Sequence, residues 1–123
     1  MSAATPTRTL SPSGDVTLAS AEAQFIFKRP RPGVLLIEAS GDDMGQFGSS
    51  ALDEILHALE REQPLELFID TTAAVSVAPR VRDEWTRFFS SNRDRLVAVH
   101  VLTGSKLVHW RWPWRSCSRA PAT

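Results

Sequence analysis

The sequence predicts an α/β domain built on a mostly parallel or mixed β-sheet, because two apolar runs flank one amphipathic segment. The runs Val34–Ala39 and Leu65–Asp70 are short, rich in β-formers and hardly alternate, as expected for strands covered on both faces. Between them, four apolar residues recur at i, i+3, i+4 and i+7, which indicates one face of a helix: Leu52, Ile55, Leu56 and Leu59. A strand, a helix and a second strand form a βαβ unit, which implies helices packed on a sheet.

Length and composition predict one globular domain. The chain has 123 residues, of which 42% are hydrophobic and 23% charged, and its 14 basic residues balance its 14 acidic ones. No overall charge therefore favours nucleic acid or a membrane surface. The single cysteine, Cys117, excludes an internal disulfide and permits a reducing compartment. No signal-peptide core and no run of 18 apolar residues is found in the sequence, so we expect a cytoplasmic protein.

The amino-terminal residues predict a disordered arm followed by a hairpin. Residues 1–20 are small, polar and interrupted by proline, so they offer little apolar surface to offset the entropy of ordering. The α/β domain is predicted over residues 21–109. It begins with a strand at Gln24–Lys28 and a proline-rich turn at 29–33, after which the chain returns antiparallel through Val34–Ala39.

A Gly/Asp loop at 41–48 connects this hairpin to the predicted helix. Its paired acids, Asp42 and Asp43, are compatible with a cation, but the spacing of a calcium loop is absent. We therefore predict no metal and no cofactor. Ser50 and Asp53, three residues apart, instead fit a capping box at the start of the helix.

A segment of small residues, 71–79, follows the second apolar run and is predicted to be a loop. Open α/β sheets usually bind ligands outside the carboxyl ends of their strands, so we place the candidate site here. Asp70 ends the strand and is predicted to anchor the loop through hydrogen bonds to its amides. The next helix is predicted to begin at Pro79 or Arg80. The candidate phosphorylation or partner-binding residues are Thr71, Thr72, Ser76, Arg80 and Arg82.

The helix after this loop carries an aromatic stripe. Val81, Trp85, Phe88 and Phe89 recur at i, i+4, i+7 and i+8, and charged residues occupy the opposite face. Such a stripe usually packs against the sheet. The alternative is a pocket for a small ligand or lipid, lined by Trp85, Phe88 and Phe89.

A third apolar run, Leu96–Leu102, is predicted as the next buried strand, and a turn then leads to a helix beginning near Ser105. His100 lies within this run, where a core histidine is the usual interpretation. No nucleophile or second catalytic group stands at a recognisable spacing from His100 or Asp70. We therefore predict a protein that is not an enzyme.

Residues 110–123 form an irregular segment that holds three of the four tryptophans and no acidic residue. Alternating Trp and Arg are typical of contact with a membrane interface or single-stranded nucleic acid. A second interpretation is a shifted reading frame, because one back-translation displaced by a single nucleotide encodes an apolar helix after His109. We adopt the second interpretation, in which the last covering helix is lost to a frameshift. We predict no nucleic-acid partner, and no membrane contact unless this tail is genuine.

The order of these elements, together with the segments Leu67–Asp70 and Leu102–Val108, resembles the STAS domain. This is the fold of anti-sigma factor antagonists and of the cytosolic tails of sulfate transporters. The resemblance covers about Phe25–Val108 and is greatest to small bacterial STAS-like proteins. It implies a regulatory module that docks another protein, such as a kinase or an anti-sigma-type regulator, through residues 71–82.

In the antagonist branch of that family, a partner kinase phosphorylates the serine of an Asp-Ser-x-Gly-Leu motif at the start of a helix. Here Ala78 and Pro79 stand at the aligned positions, so the motif is absent. Ser76 is the hydroxyl nearest to the helix start. A phosphate on Ser76 would meet the positive end of the helix beside Arg80 and Arg82, whereas an unmodified Ser76 would act as a cap.

Overall fold

A computed structural model describes residues 6–103 and, by backbone alone, residues 106–109. Within these ranges seven strands form one sheet whose spatial order equals their order in the chain. The strands are β1 (Thr7–Leu10), β2 (Val16–Ala19), β3 (Ala23–Arg31), β4 (Val34–Asp43), β5 (Leu65–Val77), β6 (Leu96–Thr103) and β7 (Lys106–His109). The helices are α1 (Ser50–Arg61), between β4 and β5, and α2 (Pro79–Ser91), between β5 and β6, with a 3₁₀ turn at Arg93–Arg95.

The predicted α/β class with a mixed sheet is confirmed. Strands β4, β5 and β6 are parallel neighbours, whereas the remaining pairs are antiparallel. Right-handed crossovers between parallel neighbours place both helices on the same face of the sheet. In agreement, Ile55 and Leu59 of α1 and Phe89 of α2 belong to one buried cluster with Ile37 and Leu67.

Among the described residues, helices cover the apolar runs on one face only, in contrast to the prediction of strands covered on both faces. In β5 the residues alternate: Leu65, Leu67 and Ile69 are buried, while Glu66 and Phe68 are half-buried. Residues Leu67–Ile69 are apolar without a break because Phe68, on the face away from the helices, is also hydrophobic. The hydrophobic pattern alone therefore does not distinguish the two faces of β5.

Over residues 6–20 the predicted disordered arm is corrected by the hairpin of β1 and β2, which extends the sheet beyond β3. The first part of the predicted arm, residues 1–5, lies outside the described residues. Leu18 pairs with Phe25 and is only 3% exposed. The turn between the strands is closed by a 2.8 Å hydrogen bond from the Ser11 amide to the Asp15 carbonyl. The segment is ordered because the edge of β3 supplies hydrogen-bond partners and a surface for Leu18, which the segment's own composition does not reveal.

The predicted β3–β4 hairpin forms, with Phe27 opposite Ile37 in an antiparallel pair. The N-cap of α1 lies one residue earlier than the predicted cap, Ser50. Ser49 occupies the N-cap position, and its hydroxyl contacts the Asp53 carboxylate at 3.1 Å. Ser50 is instead the first residue of the helix.

The predicted loop at 71–79 is largely a strand, because β5 continues for 13 residues to Val77. Its second half pairs in parallel with the end of β4, where Ala73 lies opposite Ser40 and Val77 opposite Asp43. Residues 71–77 are Thr, Ala, Val and Ser, without Gly or Pro, so nothing local interrupts an extended backbone. Helix α2 begins at Pro79, as predicted.

The helix predicted to begin near Ser105 is corrected by β7, because Lys106–His109 pair antiparallel with β6. The register places Lys106 opposite Thr103 and His109 opposite His100. The backbone of β7 pairs with the N–H and C=O groups at the edge of β6. This pairing outweighs the local sequence pattern that predicted a helix. The proposed frameshift tail, 110–123, and the helix it would replace lie outside the described residues.

Candidate functional site

A groove of about 510 Å³ lies between the second half of β5 and α2. It brings together residues that the sequence assigned to two separate hypotheses, the partner loop and the aromatic pocket. The predicted site residues that line it are Thr71, Ser76, Arg82, Trp85 and Phe89. Asp70, Thr72, Arg80 and Phe88 are not among its lining residues.

The apolar wall of the groove is built around Trp85. Its ring stacks on Phe25 with centroids 5.7 Å apart and meets Phe89 edge-on at 5.9 Å. Ile69 and Val101, from neighbouring strands, continue this wall. Phe25 and Phe89 are buried in the core cluster while Trp85 packs partly buried against it, so the wall is anchored to the body of the domain.

Asp43 stands at the polar side of the groove and is 8% exposed. Its Oδ1 accepts a 3.0 Å hydrogen bond from the Gly45 amide, and no residue that the structure describes donates to Oδ2. Burial raises the pKa of this carboxyl, and the Gly45 hydrogen bond opposes the rise. Glu84 raises the pKa further, whereas Arg80 lowers it.

Sequence reasoning considered Asp43 only as half of a metal-binding pair and missed it as a groove residue. The strand β4 was predicted to end at Ala39, which left Asp43 in a loop. Its position as the last residue of a longer β4 is what turns the carboxyl inward. The signal available in the sequence was the small, strand-compatible segment 71–77, which gives β4 a partner over this length.

Two hydroxyls of the second half of β5, those of Ser76 and Thr71, donate hydrogen bonds to the neighbouring strands. Ser76 Oγ donates to Asp42 Oδ1 at 2.7 Å, so the alternative role of Ser76 as a cap of α2 is wrong. The N-cap is Ala78, whose amide donates to the Asp43 carbonyl at 2.8 Å. Thr71 Oγ1 donates to the Leu102 carbonyl at 2.9 Å, where β6 approaches its end.

Asp70 anchors the chain that follows it. Its Oδ1 accepts hydrogen bonds from the Thr72 hydroxyl at 2.7 Å and from the Thr72 amide at 2.9 Å. These two bonds lower the pKa of Asp70, and its slight desolvation opposes them only weakly. The lowered pKa keeps the carboxylate charged, and its two hydrogen bonds tie Thr72 to Asp70 just after the pairing of β5 with β6 ends.

Two arginines flank the groove at the start of α2. The Arg80 guanidinium covers Gly45 and lies 3.5 Å from the Met44 carbonyl oxygen. Gly45 has φ of +100°, and a side chain there would collide with Arg80. Arg82 is exposed and has no ion-pair partner in the described part of the chain.

The face of the sheet away from the helices carries His100. Its Nε2 lies 2.8 Å from Glu66 Oε2, and its ring stacks on Phe68 with centroids 4.5 Å apart. A shallow cavity of about 360 Å³ adjoins this pair, and its other walls include Leu36 and Leu102. The pairing with Glu66 and Phe68 accounts for a buried histidine within a strand.

Over residues 6–103 and 106–109, no three His, Cys, Asp or Glu side chains cluster as metal ligands. Neither α1 nor α2 has the length and apolar character needed to cross a bilayer. Comparisons of the chain with protein-family models, with curated proteins and with solved structures give no match.

Proposed function

We propose that this protein is a non-enzymatic regulatory module of STAS-like type that docks another protein through residues 71–82. The observation that carries the proposal is the free edge of β5. Pairing with β6 ends at Asp70 opposite Leu102, while β5 continues to Val77. Within the described residues, the stretch 72–77 therefore has β4 on one side and no strand on the other.

The composition of this edge favours the pairing of an additional strand. Residues 71–77 carry no charge and no proline, the two features that natural proteins commonly place on edges to prevent association. Val75 is 75% exposed and Val77 is 39% exposed. An extended segment of a partner would gain main-chain hydrogen bonds along the edge and apolar contacts with these two valines.

The charges beside the edge favour a partner with acidic residues. Arg80 and Arg82 follow the edge directly, at the positive end of α2. Acidic side chains of a partner could approach both guanidinium groups. Arg82 forms no ion pair with the described residues that such a partner would have to replace. The charges therefore favour an acidic segment on the partner, and the kinase or anti-sigma type of the partner is proposed on the STAS resemblance alone.

A photo-crosslinking amino acid at position 75 tests the proposal in the cells that produce the protein. We expect an adduct with a specific protein from position 75. Position 97 is the matched control, because Val97 is also a strand valine and is 63% exposed at the start of β6. The absence of an adduct at 75, or the same adducts from both positions, would contradict docking through this edge.

The groove supports a second function, the binding of a small ligand or lipid. Its volume of about 510 Å³ and its wall of Phe25, Trp85 and Phe89 are typical of a small-molecule site. The indole N–H resonance of Trp85, assigned with a Trp85→Phe variant, reports on occupancy in a two-dimensional NMR spectrum. A shift of this resonance on adding a ligand supports the function, and an unchanged resonance with all ligands tried at millimolar concentration opposes it.

A further inference from the structure

We propose that the groove binds an apolar molecule through a nitrogen-borne hydrogen-bond donor, and that the Asp43 carboxylate receives this donor. The inference rests on the second function proposed above, the groove as a small-molecule site, and assigns the chemical class of its ligand. Two independent observations lead to it: the apolar wall around Trp85 and the incompletely bonded carboxylate of Asp43 in the same groove.

The apolar wall selects the body of the ligand. Side chains from three strands and α2 converge on one groove, so an alkyl or aromatic group would contact them from several directions. Burial of such a group would be favourable by about 25 cal/mol for each Å² removed from water. The residues that form this wall are Phe25, Ile69, Trp85, Phe89 and Val101.

The Asp43 carboxylate selects the polar end of the ligand. A buried polar atom normally has a hydrogen-bond partner, and the single bond from the Gly45 amide leaves Oδ2 without one among the described residues. An amine or ammonium group carries N–H donors, so it can supply the hydrogen bond that Oδ2 lacks. Its bond to a carboxylate is charge-assisted and stronger than a bond between neutral groups.

Three other charged side chains surround this end of the groove. Glu84 carries the same charge as Asp43 and favours a cationic group, whereas Arg80 lies close enough to oppose it. Arg82 lines the groove and presents the competing possibility of an anionic ligand. The sign of the ligand's charge is therefore the decisive measurement.

Three probes with the same eight-carbon chain measure that sign: octylammonium, octanol and octanoate. Titration of the full-length protein, followed by the Trp85 indole resonance, gives a dissociation constant for each. We expect octylammonium to bind most tightly and octanoate most weakly. In Asp43→Asn, which keeps the shape and the acceptor for Gly45, octylammonium should lose about tenfold in affinity while octanol changes little.

Asp42→Asn is the matched control, because Asp42 is the adjacent carboxylate but is bonded to Ser76. It should leave the affinities for all three probes unchanged. Equal affinities of octylammonium and octanol, tightest binding of octanoate, or an unchanged ratio in Asp43→Asn would overturn the assignment of Asp43 while leaving the groove as a ligand site. If no probe moves the Trp85 resonance, the second function itself fails.

A spectroscopic measurement keeps the test independent of any folding defect in Asp43→Asn. In the unmodified protein, the ¹³C resonance of the Asp43 carboxyl should shift on addition of octylammonium, and the carboxyl resonance of Asp42 should not. A shift of both carboxyls by the same amount would indicate a general charge effect and overturn the proposed contact.

Discussion

Ser76 and Asp42 lie opposite each other on β5 and β4, and the serine hydroxyl donates a 2.7 Å hydrogen bond to the aspartate carboxylate. The bond joins the ends of the two strands just before α2 begins. It also gives Ser76 a neighbour of negative charge, although the helix end and Arg80 nearby are positive. Whether a negative group at position 76 is attracted or repelled depends on which of these neighbours is closer. The Asp42 carboxylate lies within hydrogen-bond distance of the Ser76 hydroxyl, so we expect repulsion.

Ser76→Asp should consequently loosen the second half of β5, because two carboxylates would face each other where one hydrogen bond now forms. We expect the amides of residues 73–77 to exchange their hydrogens faster, by tenfold or more, than in the unmodified protein. Hydrogen exchange followed by mass spectrometry or NMR measures this directly. Ser76→Ala removes only the hydrogen bond. Because the position is exposed, it should lower the free energy of unfolding by at most about 1.5 kcal/mol.

The double variant Ser76→Asp with Asp42→Asn separates charge repulsion from loss of packing. It should restore slow exchange in the second half of β5, since the side-chain amide introduced at position 42 can donate to the new carboxylate. If the double variant exchanges as fast as Ser76→Asp alone, repulsion by Asp42 is not the cause. Unchanged exchange in Ser76→Asp itself would show that the positive helix end compensates for the added charge.

Asp43 and Asp70 should influence the pH dependence of stability in opposite directions. The folded-state pKa of Asp43 is raised above the ordinary value of 3.8, so the folded protein holds this proton more tightly than the unfolded chain. Its contribution to stability is therefore present at low pH and declines as the pH rises from 3.8 through the folded-state pKa. Asp43→Asn should gain stability relative to the unmodified protein over the same interval.

The folded-state pKa of Asp70 is lowered below 3.8, so its contribution has the opposite sign. It is fully present above 3.8 and is lost as the pH falls through the folded-state pKa. Asp70→Asn should thus be less stable than the unmodified protein at neutral pH, and the difference should shrink in acid. Urea denaturation between about pH 3 and pH 7 measures both variants, and differences of the same sign would contradict the assigned environments.

Most of the central fold follows from local patterns in the sequence. The run at 34–39, the apolar face of α1 and the start of α2 at Pro79 each have a local cause: β-formers, helical spacing and a proline in the first turn. The hairpin of β1 and β2 and the strand β7 have no such cause. They are ordered by pairing with the edges of β3 and β6. Which strands lie at an edge depends on the arrangement of the whole sheet, so local sequence patterns do not reveal it.

The candidate site was predictable in position but not in form. The segment after Asp70 was expected at the carboxyl end of a central strand, and the groove does lie there. Its residues were expected in a loop because small residues often form one. Extension of β4 to Asp43 provides backbone partners for these residues, and the same extension buries the Asp43 carboxyl. Both effects depend on contacts between segments more than 30 residues apart in the chain.

Gly41 and Gly33 provide a matched pair for the packing of β4. Their φ values are +82° and +81°, so replacement by alanine carries the same backbone penalty of about 1–2 kcal/mol. A Cβ on Gly41 would collide with the backbone of Glu22 and Ala23, whereas a Cβ on Gly33 would meet open space. Gly41→Ala should therefore destabilise by about 1–3 kcal/mol more than Gly33→Ala in urea denaturation. If both variants lose the same free energy of unfolding, the backbone of Glu22 and Ala23 moves away from a Cβ at position 41 without a measurable energetic cost.

Phe89 is the point at which the groove and the core share a side chain, and its truncation should affect both. It is 1% exposed and meets Trp85 and Phe88 edge-on, with ring centroids 5.9 and 6.1 Å away. Phe89→Ala should lower the free energy of unfolding by about 3–5 kcal/mol, because a cavity replaces the ring. Phe88→Ala is the control, since Phe88 is only partly buried and should lose clearly less. If the two variants unfold at the same urea concentration, Phe89 stabilises the packing of α2 no more than Phe88 does, and the anchoring of the groove wall would rest on its other members, Phe25, Ile69, Trp85 and Val101.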